Sequence, residues 1–154
     1  MKILLDIDGV MVTTPSWRTP RLHSDGFLEF NPLAARNLSF ILDRMHADVV
    51  LTTTHRINYT VDVWQNLLRN RGIRPHRIFK INDSSSLEEM PLRSVEIMEW
   101  VHLQTGGDPF VVLDDDRSLY SLPARVLDHC VITMPLIGLD DAAMRKALLI
   151  LEGQ

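Results

Sequence analysis

Residues 1–10, MKILLDIDGV, decide how this chain is read. Ile3, Leu4 and Leu5 form a short apolar run, and Ile7 follows between two acids. Such a run reads as a buried strand of a parallel sheet. Asp6 and Asp8 fall where that strand should end, and Gly9 lets the backbone turn sharply. Alternate residues on a strand share a face, so the two carboxylates are expected to point the same way. Carboxylates about 5 Å apart repel by roughly 3 kcal/mol at an effective dielectric near 20, and a cation between them turns that cost into binding. Taken alone, the stretch fits two solvated acids at a strand end equally well.

The rest of the chain repeats the pattern. Asn31 followed by Pro32 marks a helix start, and Leu33, Leu38, Ile41, Leu42 and Met45 carry helical spacing to Met45. Val49–Leu51 reads as a second buried strand, ending in Thr52, Thr53 and Thr54. A helix is expected over 58–71, closed by Gly72, and a third strand over 77–81. A further helix over 92–104 should bury Val95, Ile97, Met98, Trp100 and Val101. Phe110–Leu113 is a fourth apolar strand running into Asp114, Asp115 and Asp116. A turn of helix over 119–122, a fifth strand over 125–133, and a last helix capped by Asp140 complete the reading. Residues 13–26 read as loop. Val10–Val12 and Phe27–Phe30 read as the two arms of a small hairpin flap.

Strands alternating with helices imply a three-layer α/β fold: a Rossmann-like parallel sheet, right-handed crossovers and helices on both faces. The whole chain reads as one domain, 1–154, with no separate cap domain. Ligands in such sheets sit beyond the carboxyl ends of the strands. Asp6 and Asp8, Thr52–Thr54 and Asp114–Asp116 all fall at those ends. Their carboxylates are hard oxygen ligands suited to Mg²⁺. Hydroxyls and backbone N–H groups after the second strand suit phosphate oxygens. Arg93 is the candidate cation for phosphate charge, although a surface ion pair fits it as well. Arg56 could contact substrate, but it reads rather as a solvated helix start.

The 154 residues carry 45% hydrophobic and 23% charged residues, ordinary for a globular protein. The net charge of −4 argues against a broad electrostatic grip on nucleic acid while leaving room for a local basic patch. Cys130 is the only cysteine, which rules out an internal disulfide and a cysteine zinc site. Acids interrupt the first apolar run, so it does not read as a signal peptide. No stretch reads as a membrane span, and a cytoplasmic setting is expected.

Together these motifs resemble the haloacid dehalogenase-like (HAD) superfamily of aspartate-nucleophile phosphatases. The strand ending in Asp6, Ile7, Asp8, Gly9 and Val10 matches its first motif, Thr53 its second and Phe110–Asp116 (FVVLDDD) its fourth. Arg93 stands where the family places a lysine or arginine. The chain is most similar to the small domains of this superfamily associated with RNA repair proteins, through Arg93–Trp100 (RSVEIMEW), VVLDDD and 138–151. His55 departs from those relatives, which often have tryptophan there, and Thr52 could take the place of Thr53.

The resemblance implies a Mg²⁺-dependent phosphatase. Asp6 would be the nucleophile, forming an aspartyl-phosphate, and Asp8 the general acid and base. Mg²⁺ would be held by the Asp6 carboxylate, the Asp8 backbone carbonyl and Asp114, with Asp115 adjacent or sharing the site. Thr53, the N–H of Thr54 and Arg93 would hold the phosphate. A site without a cap suits a large phosphorylated substrate, such as a nucleotide or a polynucleotide end. The competing reading is a non-catalytic module that binds phosphate or a partner with the same fold.

Overall fold

The computed structural model describes residues 1–154. Five strands form one sheet: β1 (Lys2–Leu5), β2 (Asp48–Leu51), β3 (Ile78–Lys80), β4 (Phe110–Asp114) and β5 (Cys130–Ile132). Every pairing is parallel, in the order β3-β2-β1-β4-β5. The order reverses at β1, so a crevice is expected beyond the carboxyl ends of β1 and its neighbours. No helix is long and apolar enough to cross a membrane.

Strand alternation divides the core into two faces. Ile3, Leu5, Val49, Leu51, Val111 and Leu113 point to one face. That face is covered by helices α1 (Pro32–Met45), α2 (Val61–Arg69) and α5 (Asp141–Leu151). Leu4, Val50, Val112 and Cys130 point to the other. There they meet Ile97 and Trp100 of α3 (Arg93–Leu103), Leu119 and Leu122 of a short 3-10 segment and its end, and Val126 of α4 (Ala124–Leu127).

The expected caps form. The Asn31 side chain accepts N–H groups from Leu33 and Ala34, and Asp140 accepts from Ala143. Four other expectations need correction. The helix expected from residue 58 begins at Val61, because Thr54–Asn58 is a 3-10 turn capped by Thr53 and Thr60 caps the helix proper. The expected strand 125–133 is split. Residues 124–127 coil on the Pro123 carbonyl and drop Val126 into the core, leaving only Cys130–Ile132 extended. Val95 is exposed, since Arg93, Glu96, Ile97 and Trp100 are the face of α3 turned to the sheet.

The hairpin is also absent as drawn. The flap instead closes on itself through an antiparallel bridge between Leu22 and Leu28. Its base is held by Phe27 and Phe30, both buried. Phe27 packs edge-on against Trp64, Tyr59 and His55. Arg71 lies over both phenylalanine rings, pairs with Asp25 and donates to the Leu28 carbonyl.

Candidate active site

The alternation that builds the two cores also places the acids. Leu4 is paired with Val112, and Leu5 with Leu51 and Leu113. One step further, the Asp6 N–H donates to the Leu113 carbonyl and the Thr52 N–H to the Leu5 carbonyl. Asp6, Thr52 and Asp114 therefore share the parity of Leu4, Val50 and Val112. They extend the α3-covered face just beyond its apolar floor.

Asp6, Asp114 and Asp115 each offer a carboxylate oxygen, and the three atoms lie within 4.8 Å of one another. Asp6 is 7% exposed and Asp114 fully buried. Burial, and then repulsion from Asp114, holds the Asp6 carboxyl well above the usual carboxylate range, with Arg93 opposing. Burial likewise raises Asp114, again against Arg93, and it raises Asp115, helped by Asp114. Three hard oxygen donors with surplus negative charge fit a divalent cation of the Mg²⁺ type. Asp115 sits directly over Gly9: a Cβ built there would lie 2.0 Å from Asp115 Oδ2. Gly9 also has φ +78°, so only glycine meets both demands.

Arg93 enters from the first turn of α3. Its Nη1 donates to Asp114 Oδ2 at 2.8 Å and lies 3.9 Å from Asp6 Oδ1. The Thr52 hydroxyl reaches the same Asp114 oxygen at 3.5 Å, and the Asp116 N–H donates to the other at 3.0 Å. Behind Arg93, Glu96 Oε2 lies 3.4 Å from its Nε. Glu96 in turn pairs with Arg56 and accepts from Asn82 Nδ2 at 2.9 Å. Arg56 is a correction to the sequence reading: it is not a solvated helix start but fully buried. Its Nη1 donates to the Thr52 and Thr53 carbonyls at 2.8 and 3.1 Å. A buried line of alternating charge thus runs from the carboxylates through Arg93 and Glu96 to Arg56, tying α3 to the end of β2.

Residues 2–144 match the family model described as the HAD domain in Swiss Army Knife RNA repair proteins. The chain belongs to this HAD family. No curated protein and no solved structure gives a significant match.

In this HAD domain Asp8 does not share the position of Asp6. The strand ends at Leu5, and residues 7–12 fold into a tight turn in which the Gly9 N–H donates to the Val12 carbonyl. The turn carries the Asp8 side chain outward, where it is 60% exposed and Oδ2 meets His55 Nε2 at 2.8 Å. The Asp8 carboxylate is therefore not one of the three grouped oxygens. A cleft of about 180 Å³ opens beside it, lined in part by Thr14, Ser16, Arg18 and Leu28 of the flap. Trp17 is 76% exposed nearby in sequence.

Thr53 is buried and its hydroxyl oxygen accepts the His55 N–H, while Thr54 is exposed. Sequence reasoning brought Asp6, Asp114, Asp115 and Arg93 to one edge but missed Glu96, Arg56 and His55. The signal for Glu96 was present: an arginine and a glutamate three apart on one helix, sharing the stripe of Ile97 and Trp100.

Proposed function

We propose that this HAD domain is a Mg²⁺-dependent phosphatase that removes a phosphate from a large substrate, a nucleotide or polynucleotide end. The observation that carries the reading is the meeting of Asp6, Asp114 and Asp115 within 4.8 Å, with Arg93 against them, at the carboxyl edge of the sheet. Membership of an RNA repair family supports the substrate class.

Asp6 attacks phosphorus, its oxygen bonding to phosphorus as the bond to the leaving oxygen breaks. Asp8, standing over the flap cleft and oriented by His55, gives its proton to that oxygen. It then takes one from the water that opens the aspartyl-phosphate. The Asp6, Asp114 and Asp115 carboxylates and the Asp8 backbone carbonyl would hold Mg²⁺, which when bound supplies neutralising charge for the phosphoryl oxygens. The Thr53 hydroxyl accepts from His55 and keeps its own hydrogen, so it can donate to a phosphate oxygen, as can the Thr54 N–H. Arg93, permanently charged, offsets phosphate charge without moving a proton.

The test is release of inorganic phosphate from an aryl phosphate, with and without Mg²⁺. Wild-type protein is expected to turn over only with the metal, and Asp6→Asn to lose at least about 10³-fold. Turnover by Asp6→Asn at the wild-type rate would remove Asp6 as nucleophile. Wild-type protein that is inert with Mg²⁺ would leave the phosphate-binding module as the better reading.

A further inference from the structure

Residues 69–80, RNRGIRPHRIFK, carry five arginines and lysines: Arg69, Arg74, Arg77 and Lys80 stand free, and Arg71 is engaged by Asp25 at the flap. The segment contains no acid, in a chain whose net charge is −4. Arg69, Arg74 and Arg77 are exposed and Lys80 half-buried, and none of the four forms an ion pair. Arg69 ends α2, Gly72 turns the chain at φ +76°, and Ile73 is buried as an anchor. The turn leaves Arg69 and Arg74 on an open cleft of about 400 Å³, floored by Ile73 and Pro75.

The same segment then becomes β3, the edge strand of the sheet. Lys80 is paired with Leu51, the residue before Thr52, so the basic tract reaches the carboxyl edge that holds the acids. Phe79, beside Lys80, is 42% exposed. On the edge strand Phe79 shares the face of Val50 and Lys80 that of Leu51, so the ring and the cation flank the open edge from its two sides. Exposed cations along an edge with an aromatic ring beside them suit a single-stranded nucleic acid: the cations follow the backbone and the ring stacks a base. An acidic peptide would use the charge and leave the ring without a role.

We propose that the Arg69–Lys80 tract is a binding surface for the backbone of a single-stranded nucleic acid whose terminal phosphate enters the site. The proposal rests on the phosphatase reading for its substrate class, and its surface can be tested apart from turnover. The chain follows the sheet edge from the Arg69/Arg74 cleft past Arg77 to Lys80, and its end passes beyond β2 to Asp6. Exposed residues far from the carboxylates thus select polynucleotide over small phosphate esters.

The experiment measures binding of a single-stranded RNA of about ten nucleotides with a terminal phosphate, a length within the usual span of such sites, across a salt series, for wild type and Arg69→Ala/Arg74→Ala. Four phosphate contacts predict a slope of log affinity on log salt of about −2.8, and removing two predicts about −1.4. Turnover of an aryl phosphate should be the same in both proteins. An unchanged slope and affinity in the variant, or no RNA binding even at low salt, would overturn the proposal. So would polyglutamate displacing RNA as well as unlabelled RNA does. If wild type is inert on aryl phosphate yet binds RNA through Arg69 and Arg74, the surface stands and the phosphatase reading falls.

Discussion

The two faces of the sheet are built to opposite rules. On the face covered by α1, α2 and α5, the hydrophobic core joins 26 buried residues, and the buried polar side chain that α1 adds is the neutral Asn37, which donates to the Leu139 carbonyl. On the α3 face the cluster holds 10. There the layer continues past its apolar floor into Asp6, Asp114, Arg93, Glu96 and Arg56, all buried. Burial of apolar surface stabilises a fold, whereas buried charge is at best neutral when fully paired and costly when not. The first face carries stability so that the second can carry an excess of like charge.

The comparison is broken most severely by leaving a charge unpaired. Glu96→Leu strips Arg56 and Arg93 of their shared partner, and chemical denaturation should show a loss of about 3–5 kcal/mol. Adding Arg56→Met should restore much of that stability without restoring aryl phosphate turnover, because Arg93 then keeps Asp114 but has lost Glu96 behind it. Leu38→Ala, on the dry face, should cost about 2–5 kcal/mol, with kcat per folded molecule unchanged. Were Leu38→Ala to alter kcat as Glu96→Leu does, the division of labour would be wrong.

A smaller effect has the opposite sign. Asp6→Asn removes one of three repelling carboxylates, so without divalent metal its Tm should exceed that of wild type by roughly 2–4 °C, about 1 kcal/mol for a chain of this size. Mg²⁺ should then raise the wild-type Tm more than that of the variant.

The smallest effect lies outside both faces, at the flap. Hydrogen bonds from Arg71 hold the Asp25 carboxyl well below the usual carboxylate range. Its contribution to stability is complete above the unfolded value of about 3.9 and is lost as pH falls toward the lower folded value. Asp25→Asn should therefore lower Tm at pH 7 and converge on wild type in acid. A gap that stays constant with pH would show that Arg71 gains nothing from the charge.

What could be read from the sequence follows the same division. Apolar runs ending in acids or threonines located β1, β2 and β4, and Asn31 and Asp140 marked their helices, because these signals are local. The meeting of Asp6 with Asp114 followed from parallel topology, since both end central strands. The burial of Arg56 did not follow: an arginine after a strand end is usually solvated, and its partners Glu96 and Asn82 are brought near only by tertiary packing. Asp8 was misplaced because period-two alternation was carried past Leu5 into a turn. Val126 misled because a β-branched residue in a short apolar run fits strand and helix alike.

The turn that carries Asp8 is fastened from far along the chain. The Thr133 hydroxyl donates to the Gly9 carbonyl at 2.8 Å and the Leu139 N–H to the Val10 carbonyl at 2.9 Å. Gly138 packs so closely on Val10 that a Cβ there would lie 2.4 Å from its carbonyl oxygen. The residues that clamp this turn lie more than a hundred positions after it, so they leave the ribosome well after it does. Until they do, the nascent chain holds this turn unfastened.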